Sequence, residues 1–152
     1  MPRAITDLVI RDVPLLQRHD LIRDAVEKVL ASGLPALPVV QENLAFAGLF
    51  GEREFMQALL PGYVGSLKGA GFVGRSMDDV LKKRSACATE TVEQHMNDER
   101  ITVRQDFSDV QVAEVFLHHR VLVVPVLENR EVSGIVTRSE FFRALAERFL
   151  DG

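Results

Sequence analysis

The stretch Gly48-Leu-Phe-Gly-Glu-Arg-Glu-Phe55 occurs again in similar form as Gly134-Ile-Val-Thr-Arg-Ser-Glu-Phe141, 86 residues further along the chain. Upstream of each copy stands a short apolar segment with proline in second place, Leu37-Pro-Val-Val40 and then Val124-Pro-Val-Leu127. These two segments lie 87 residues apart, so the two matches differ in register by one residue. A repeat this long predicts one supersecondary unit used twice, in which each unit covers the apolar face of the other. Such a pair leaves clefts between its halves, where ligands tend to bind.

Composition limits the kind of protein that this chain can be. Its 152 residues fit one compact domain, and each half alone would be close to the size at which a core is marginal. The net charge of −4 does not favour nucleic acid or an anionic membrane as a partner. Cys87 is the single cysteine, which excludes a disulfide framework within the chain. Since there is no apolar run of about 18–20 residues and no signal-peptide core, we expect a soluble cytoplasmic protein.

The first half predicts the order strand, helix, strand, strand, helix. Asp20 is the expected cap of the first helix, because its carboxylate can accept from free N–H groups of the first turn. Gly33 suits the left-handed position that ends a helix. The predicted elements are an extended segment at 13–16, a helix carrying Ala25, Val26, Val29 and Leu30, strands at 37–40 and 45–50, and a helix at 53–60.

The second half predicts the same order. Asp106 is the expected helix cap, and the run from Val121 to Leu127 is apolar enough for a strand buried on both faces. The predicted elements are a strand at 101–103, a helix whose buried side holds Val112, Ala113, Val115, Phe116 and Leu117, strands at 121–127 and 132–136, and a helix at 139–150.

A segment of different composition separates the halves. Residues 61–75 hold five of the ten glycines and predict a loop, and Ser76 then caps a helix over 77–84. The stretch 69–74 matches the G-x-G-x-x-G dinucleotide pattern, but no convincing buried strand precedes it, so the pattern does not indicate a Rossmann unit. A long glycine-rich loop can also bind a partner or cover a ligand, and that alternative stays open. We divide the chain into a first repeat (5–60), a glycine-rich loop with linker helix (61–90) and a second repeat (91–150).

The element order, together with both motifs in both halves, resembles the CBS domain, named for cystathionine β-synthase. The resemblance covers about residues 5–60 and 91–149. It implies an α/β (α+β) fold in which two CBS domains, each a small β-sheet with two helices, pair about a pseudo-two-fold axis as a Bateman module. It also implies clefts between the repeats that are frequently occupied by adenosine-containing ligands, and frequent dimerisation. Such modules commonly regulate another activity.

The resemblance assigns roles to the first turn (residues 48–54) and the second turn (residues 134–140). In the family, a threonine of this turn contacts phosphate or sugar oxygens, and an acid binds the ribose hydroxyls, since a carboxylate can accept from two vicinal hydroxyls. Thr137 and Glu140 match these positions in the second turn, while Gly51 and Glu54 stand there in the first. Because Gly51 offers only a backbone N–H, we expect the second turn to be the more competent site.

Thr102, Val123 and Ile135 complete the set of residues that we expect to line the ligand sites. The family often has His, Arg or Ser just before the Leu-Pro-Val strand to hold phosphate, whereas residues 34–37 and 121–124 here are apolar. That difference favours adenosine, AMP or an S-adenosylmethionine-like ligand over strong binding of a polyphosphate such as ATP. The alternative interpretation of Thr137 and Glu140 is that they only begin the last helix.

We interpret the chain as a regulatory, ligand-sensing protein and not an enzyme, with no required cofactor and no metal. Phe141 and Phe142 are adjacent on a helix, so they cannot both face the core, and the exposed one favours a homodimer. A regulated protein partner is also expected. The rival hypothesis is a structural dimerisation module with no nucleotide, and a weaker third is an enzyme that uses the glycine-rich loop.

Overall fold

The computed structural model describes residues 5–60 and 76–152. The glycine-rich segment 61–75, with the loop and the partner-binding role expected for it, lies outside the described residues. Within the described ranges, no helix combines the length and the apolar character that crossing a membrane requires.

The first repeat contains five of the regular elements in the predicted order. They are β1 (Leu16–Gln17), α1 (Ile22–Ser32), β2 (Ala36–Val40), β3 (Phe46–Gly51) and α2 (Glu52–Leu59). In the sheet, β1 runs parallel to β2, and β2 runs antiparallel to β3. A linker follows, with α3 (Met77–Lys83), a 3-10 helix (Ser85–Thr89) and α4 (Val92–His95).

The second repeat has the same order and topology. Its elements are β4 (Val103–Arg104), α5 (Asp109–His118), β5 (Val123–Glu128), β6 (Glu131–Thr137) and α6 (Arg138–Asp151). The strands β4 and β5 are parallel, and β5 and β6 are antiparallel. Two small mixed sheets with their helices therefore confirm the fold class that the repeat predicts.

The predicted helix boundaries are partly confirmed. Gly33 ends α1 in the left-handed conformation (φ 70°), and Ser76 caps α3 by accepting from the Asp79 N–H at 3.2 Å. The two aspartate caps are wrong. The carboxylate of Asp20 accepts from the Gln17 N–H at 2.9 Å and closes the turn before α1, which begins one residue later than that cap requires.

Ser108, not Asp106, is the cap of α5. Its hydroxyl accepts from the Gln111 N–H at 3.2 Å, while the Gln111 side chain accepts from the Ser108 N–H at 2.8 Å. This reciprocal pair satisfies two free donors at once. The pattern Ser-x-x-Gln at 108–111 carried the signal in the sequence.

The buried side of α5 is narrower than the apolar pattern predicts. Val112 is fully buried, but Leu117 is 82% exposed. Five residues along a helix correspond to a rotation of about 140°, so these two side chains cannot both face the sheet. The inclusion of Leu117 in the buried side is therefore wrong.

The two repeats are interlocked by crossing segments of backbone. Ile10, ahead of β1, pairs with Ile135 of β6 through hydrogen bonds of 2.8 and 3.0 Å. Asn97, ahead of β4, pairs in the same way with Leu49 of β3 through two bonds of 2.8 Å. Each sheet is thus bonded to the segment that leads into the strands of the other repeat, and these hydrogen bonds join the two halves.

This crossing explains the first glycine of the repeated motif. A Cβ on Gly48 would lie 2.6 Å from the Asn97 carbonyl oxygen, and one on Gly134 would lie 2.7 Å from the Ile10 carbonyl oxygen. No real Cβ tolerates such approaches. The motif therefore keeps glycine where the crossing segment passes over the strand.

Candidate functional site: the cleft between the repeats

A cavity of about 260 Å³ lies between the repeats, at the first turn. Its walls come from both halves of the chain and combine apolar side chains with acid and guanidinium groups. The lining residues are Pro35, Ala36, Leu49, Glu52, Arg53 and Glu54 from the first repeat, with Asn97, Arg120, Val121, Leu122 and Val123 from the second half.

Backbone hydrogen bonds hold the walls of this cleft. The Glu52 N–H donates to the Pro35 carbonyl at 2.9 Å, which fixes the start of α2 against the start of β2. The pairing of Leu49 with Asn97 joins β3 to the segment ahead of β4, and both residues line the cleft. A ligand here would therefore contact elements whose relative position depends on both repeats.

Glu54 is the buried acid of the cleft. Its Oε1 accepts from the Gly51 N–H at 2.9 Å, so the carboxylate caps the helix that it belongs to. Burial raises the pKa of Glu54 above its ordinary value of 4.5, and hydrogen bonds from the Glu54 and Gly51 backbone partly oppose that rise. Glu54 is therefore a buried acceptor group in the lining of the cleft.

Two arginines also line the cleft, and the sequence motifs did not predict either of them as a site residue. Arg53 follows the first residue of α2, and Arg120 lies between the end of α5 and β5. A guanidinium group suits phosphate or carboxylate because it offers several donors in a planar fork. Residues 121–124 before the proline of β5 are apolar, but α5 ends at His118 and Arg120, one residue ahead of that window, lines the cleft.

The second turn uses its polar groups to begin a helix. Thr137 is buried, and its hydroxyl accepts from the Glu140 N–H at 3.3 Å as the cap of α6. The Glu140 carboxylate lies 3.9 Å from Arg143. Neither these residues nor Ile135, which is fully buried in β6, lines the cavity at the first turn.

The seven expected site residues are therefore distributed over separate places. Glu54 and Val123 line the inter-repeat cleft. Gly51 supplies its N–H to Glu54. Thr102 lies in a different cavity of about 500 Å³ between β4 and α5, with Asp106 and the two histidines 118 and 119.

Position 51 holds glycine, where the family pattern has threonine, for a steric reason. A Cβ at this position would collide with the Pro35 carbonyl oxygen and with Ala36. A threonine in the first turn thus requires movement of the β2 backbone.

Among the residues that the structure describes, no group of three His, Cys, Asp or Glu side chains could hold a metal ion.

Comparison with known proteins fixes the family. The CBS domain model matches residues 5–61 and 92–147, so this chain belongs to the CBS domain family and carries two copies of the domain in tandem. The resemblance stated from the sequence is confirmed.

Solved structures of CBS proteins have the same fold. CBSX2, a CBS-pair protein from Arabidopsis thaliana, is 17% identical, with a TM-score of 0.74 over 100% of both chains. A structure of CBSX2 in complex with AMP is 17% identical, with a TM-score of 0.69 over 95% of this chain and 96% of that one. The CBS domain of a CBS domain containing membrane protein from Sphaerobacter thermophilus is 19% identical, with a TM-score of 0.70 over 92% of this chain and 86% of that one.

Proposed function

We propose that this protein is a regulatory module that binds an adenosine-containing ligand in the cleft at the first turn and catalyses no reaction itself. One observation carries the proposal: a buried acid, Glu54, and two arginines, Arg53 and Arg120, line one cleft between the repeats. These groups match the parts of a nucleotide: ribose hydroxyls for the carboxylate and phosphate for the guanidinium groups.

AMP is the first choice among AMP, ATP and S-adenosylmethionine. The cleft of about 260 Å³ is just below the usual range of roughly 300–1,000 Å³ for ligand pockets, which favours the smaller nucleotide. Leu49 and Val121 to Val123 offer an apolar surface for the base. The complex of CBSX2 with AMP supports the same choice by fold similarity.

Regulation follows if the ligand prefers one arrangement of the repeats. A ligand in this cleft contacts groups from both halves, and it can shift a conformational equilibrium only by its difference in affinity for the two states. We place this activity in the cytoplasm, in a homodimer that transmits the ligand signal to a separate protein.

A structural dimerisation module is the second candidate. It is favoured by the fact that polar groups of both turns already have partners inside the fold, Glu54 with Gly51 and Thr137 with Glu140. On this hypothesis the clefts hold no nucleotide, and dimerisation is the whole function.

Isothermal titration calorimetry with AMP, adenosine, ATP and S-adenosylmethionine separates the two candidates. Arg120→Ala should weaken AMP binding by a factor of about 10 to 100, since a hydrogen bond to a charged group is worth roughly 1.5–3 kcal/mol. The same variant should change adenosine binding little, because adenosine has no phosphate. Arg143→Ala, at an exposed arginine outside the cleft, is the matched control.

Absence of binding and of any thermal shift with all four compounds would contradict the proposal and favour the structural module. A ligand at 100 times its dissociation constant should add about 2.7 kcal/mol to the free energy of unfolding, so a thermal shift is easily measured.

A further inference from the structure

An apolar cavity of about 470 Å³ lies on the first repeat, between α1 and α2. This volume is within the usual range of roughly 300–1,000 Å³ for small-molecule sites. The cavity shares Pro35 and Glu52 with the inter-repeat cleft, but Glu54 and the two arginines of that cleft do not line it. The principal apolar lining side chains are Val26, Val29, Leu30, Leu34, Phe50 and Phe55.

The helices α1 and α5 correspond residue by residue at an offset of 87 positions. Ala25 and Val112, separated by this offset, are both fully buried. Leu30 and Leu117, separated by the same offset, are 81% and 82% exposed. The two helices therefore present equivalent faces to their sheets, and the repeats can be compared position by position.

In this register the two repeats place their aromatic rings differently. In the second repeat, the rings of Phe116 on α5 and Phe141 on α6 lie 5.6 Å apart at an angle of 42°. Phe141 corresponds to Phe55, which lines the cavity, whereas Phe116 corresponds to Val29. The first repeat thus has a small side chain on α1 where the second repeat has a ring.

The first repeat has a ring on its strand instead, because Phe50 of β3 corresponds to Val136 of β6. Phe50 is fully buried and is itself part of the cavity lining, so its ring does not fill the space. Two aromatic side chains, Phe50 and Phe55, therefore line an open space on the side of α1. Aromatic rings pack favourably on one another at centroid distances of about 4.5–7 Å, so this space suits a planar aromatic group.

Glu52 gives the cavity a negative charge. It is the one charged residue among the described lining residues, and its side chain is exposed. Its carboxylate forms no ion pair with another described residue. A cationic group beside the ring of a ligand would match this charge, and an anionic group would be repelled.

We propose that the α1–α2 cavity binds an aromatic amine. Its ring contacts Phe50 and Phe55 in the space that the Phe116 ring takes in the second repeat, and its ammonium group lies near Glu52. This site is additional to the proposed nucleotide site and does not depend on it.

Isothermal titration calorimetry on the full chain with tryptamine, 3-ethylindole and indole-3-propionate tests the site. The three probes share one ring and one two-carbon arm, and they carry a positive charge, no charge and a negative charge. Tryptamine should bind most tightly and indole-3-propionate least, with a difference of about two- to fivefold between tryptamine and 3-ethylindole, as for an exposed ion pair. If none of the three binds, the proposal is wrong.

Glu52→Gln should bring the three affinities together, because it removes the charge and keeps the shape of the side chain. Glu99→Gln, at an exposed glutamate outside the cavity, is the matched control and should preserve the order of the probes. An order that survives Glu52→Gln unchanged would remove Glu52 as the partner of the ammonium group and with it the choice of an amine.

Val29→Phe supplies from the protein the ring that the second repeat already has, so it should weaken all three probes at least tenfold. Val110→Phe makes the same change at a position of α5 that is 66% exposed and should alter no affinity. Unchanged binding to a folded Val29→Phe would overturn the placement of the ring. If this variant fails to fold by circular dichroism, the order of the probes and its loss in Glu52→Gln decide.

AMP titrated into Val29→Phe separates this site from the nucleotide site. The AMP affinity should stay the same, because Val29 does not line the inter-repeat cleft. A parallel loss of AMP and of the indole probes would place the ring in the nucleotide cleft and refute a separate site. Binding of the probes by a protein that does not bind AMP would contradict the proposed function alone.

Discussion

The first and second turns share their first glycine, an apolar pair and their final glutamate, yet they distribute their polar chemistry differently. In the first turn, the acid itself caps the helix: Glu54 is buried and accepts from the Gly51 N–H. In the second, the threonine hydroxyl caps the helix, and the half-buried Glu140 lies near Arg143. The difference begins at the equivalent positions 51 and 137. The backbone near position 51 leaves no space for a Cβ, whereas position 137 accommodates the threonine side chain.

That comparison leads us to propose the opposite order of the two candidate ligand sites from the one that the sequence favours. The sequence favours the second turn because Thr137 has a hydroxyl, and this ranking stays a prediction. The structure brings an acid, two arginines and an apolar wall together at the first turn. Competence of a site thus depends on what the opposite repeat contributes as much as on the turn itself.

Replacing Gly51 of the first turn by the threonine of the second turn should produce the largest change in stability. Gly51→Thr drives a Cβ into the Pro35 carbonyl and should lower the free energy of unfolding by about 3 kcal/mol, the upper part of the range for overpacking. Chemical denaturation measures this loss. A stability within 0.5 kcal/mol or so of the original, the usual scatter of neutral substitutions, would mean that β2 shifts freely at Pro35.

Removing the two acids in turn should affect ligand binding unequally. Glu54→Ala should weaken AMP by about 2 kcal/mol, or roughly thirtyfold, because a charged acceptor is lost. Glu140→Ala should have a much smaller effect if the first turn is the principal site. Calorimetry on both variants gives the comparison, and a larger loss in Glu140→Ala would restore the second turn as the principal site.

The hydroxyl of Thr137 should matter for stability more than for AMP. Thr137→Ala removes the cap of α6 and should cost about 1 kcal/mol of unfolding free energy. The AMP affinity measured on the same preparation should stay the same. Loss of AMP binding without loss of stability would assign Thr137 to the ligand.

The smallest expected effect is a dependence of stability on pH that arises from Glu54 in the first turn. Burial raises the pKa of Glu54 in the folded state, so the folded chain holds a proton that the unfolded chain releases near pH 4.5. The contribution of Glu54 to stability therefore falls as the pH rises from about 4.5 through the higher folded pKa. Backbone hydrogen bonds to the carboxylate oppose the shift and keep the effect small.

Thermal denaturation between pH 4 and 8 measures this slope. Glu54→Gln keeps an acceptor for the Gly51 N–H but does not titrate, so the difference in stability between the two proteins should change over that window. Glu140→Gln is the matched control, and an equal change in both variants would remove Glu54 as the source.

Local sequence predicted the elements well because their signals act over a few residues. The left-handed position at Gly33 and the cap at Ser76 are examples, each settled by backbone conformation or one hydrogen bond. The predicted caps at Asp20 and Asp106 are wrong because competing interactions are equally local. Asp20 accepts a hydrogen bond within the preceding turn instead. Ser108, two residues after Asp106, is the better cap.

The sequence by itself determined that one unit is used twice, since its repeated motif keeps glycine at 48 and 134 and the same apolar pattern in both halves. Only the tertiary structure decided what those glycines are for and which residues of the two repeats line one cleft. The crossing segments at Ile10 and Asn97, and the lining of one cleft by both Arg120 and Glu54, bring together residues far apart in the chain. Contacts of that kind depend on how the two repeats pack together, and no pattern within a single repeat contains them.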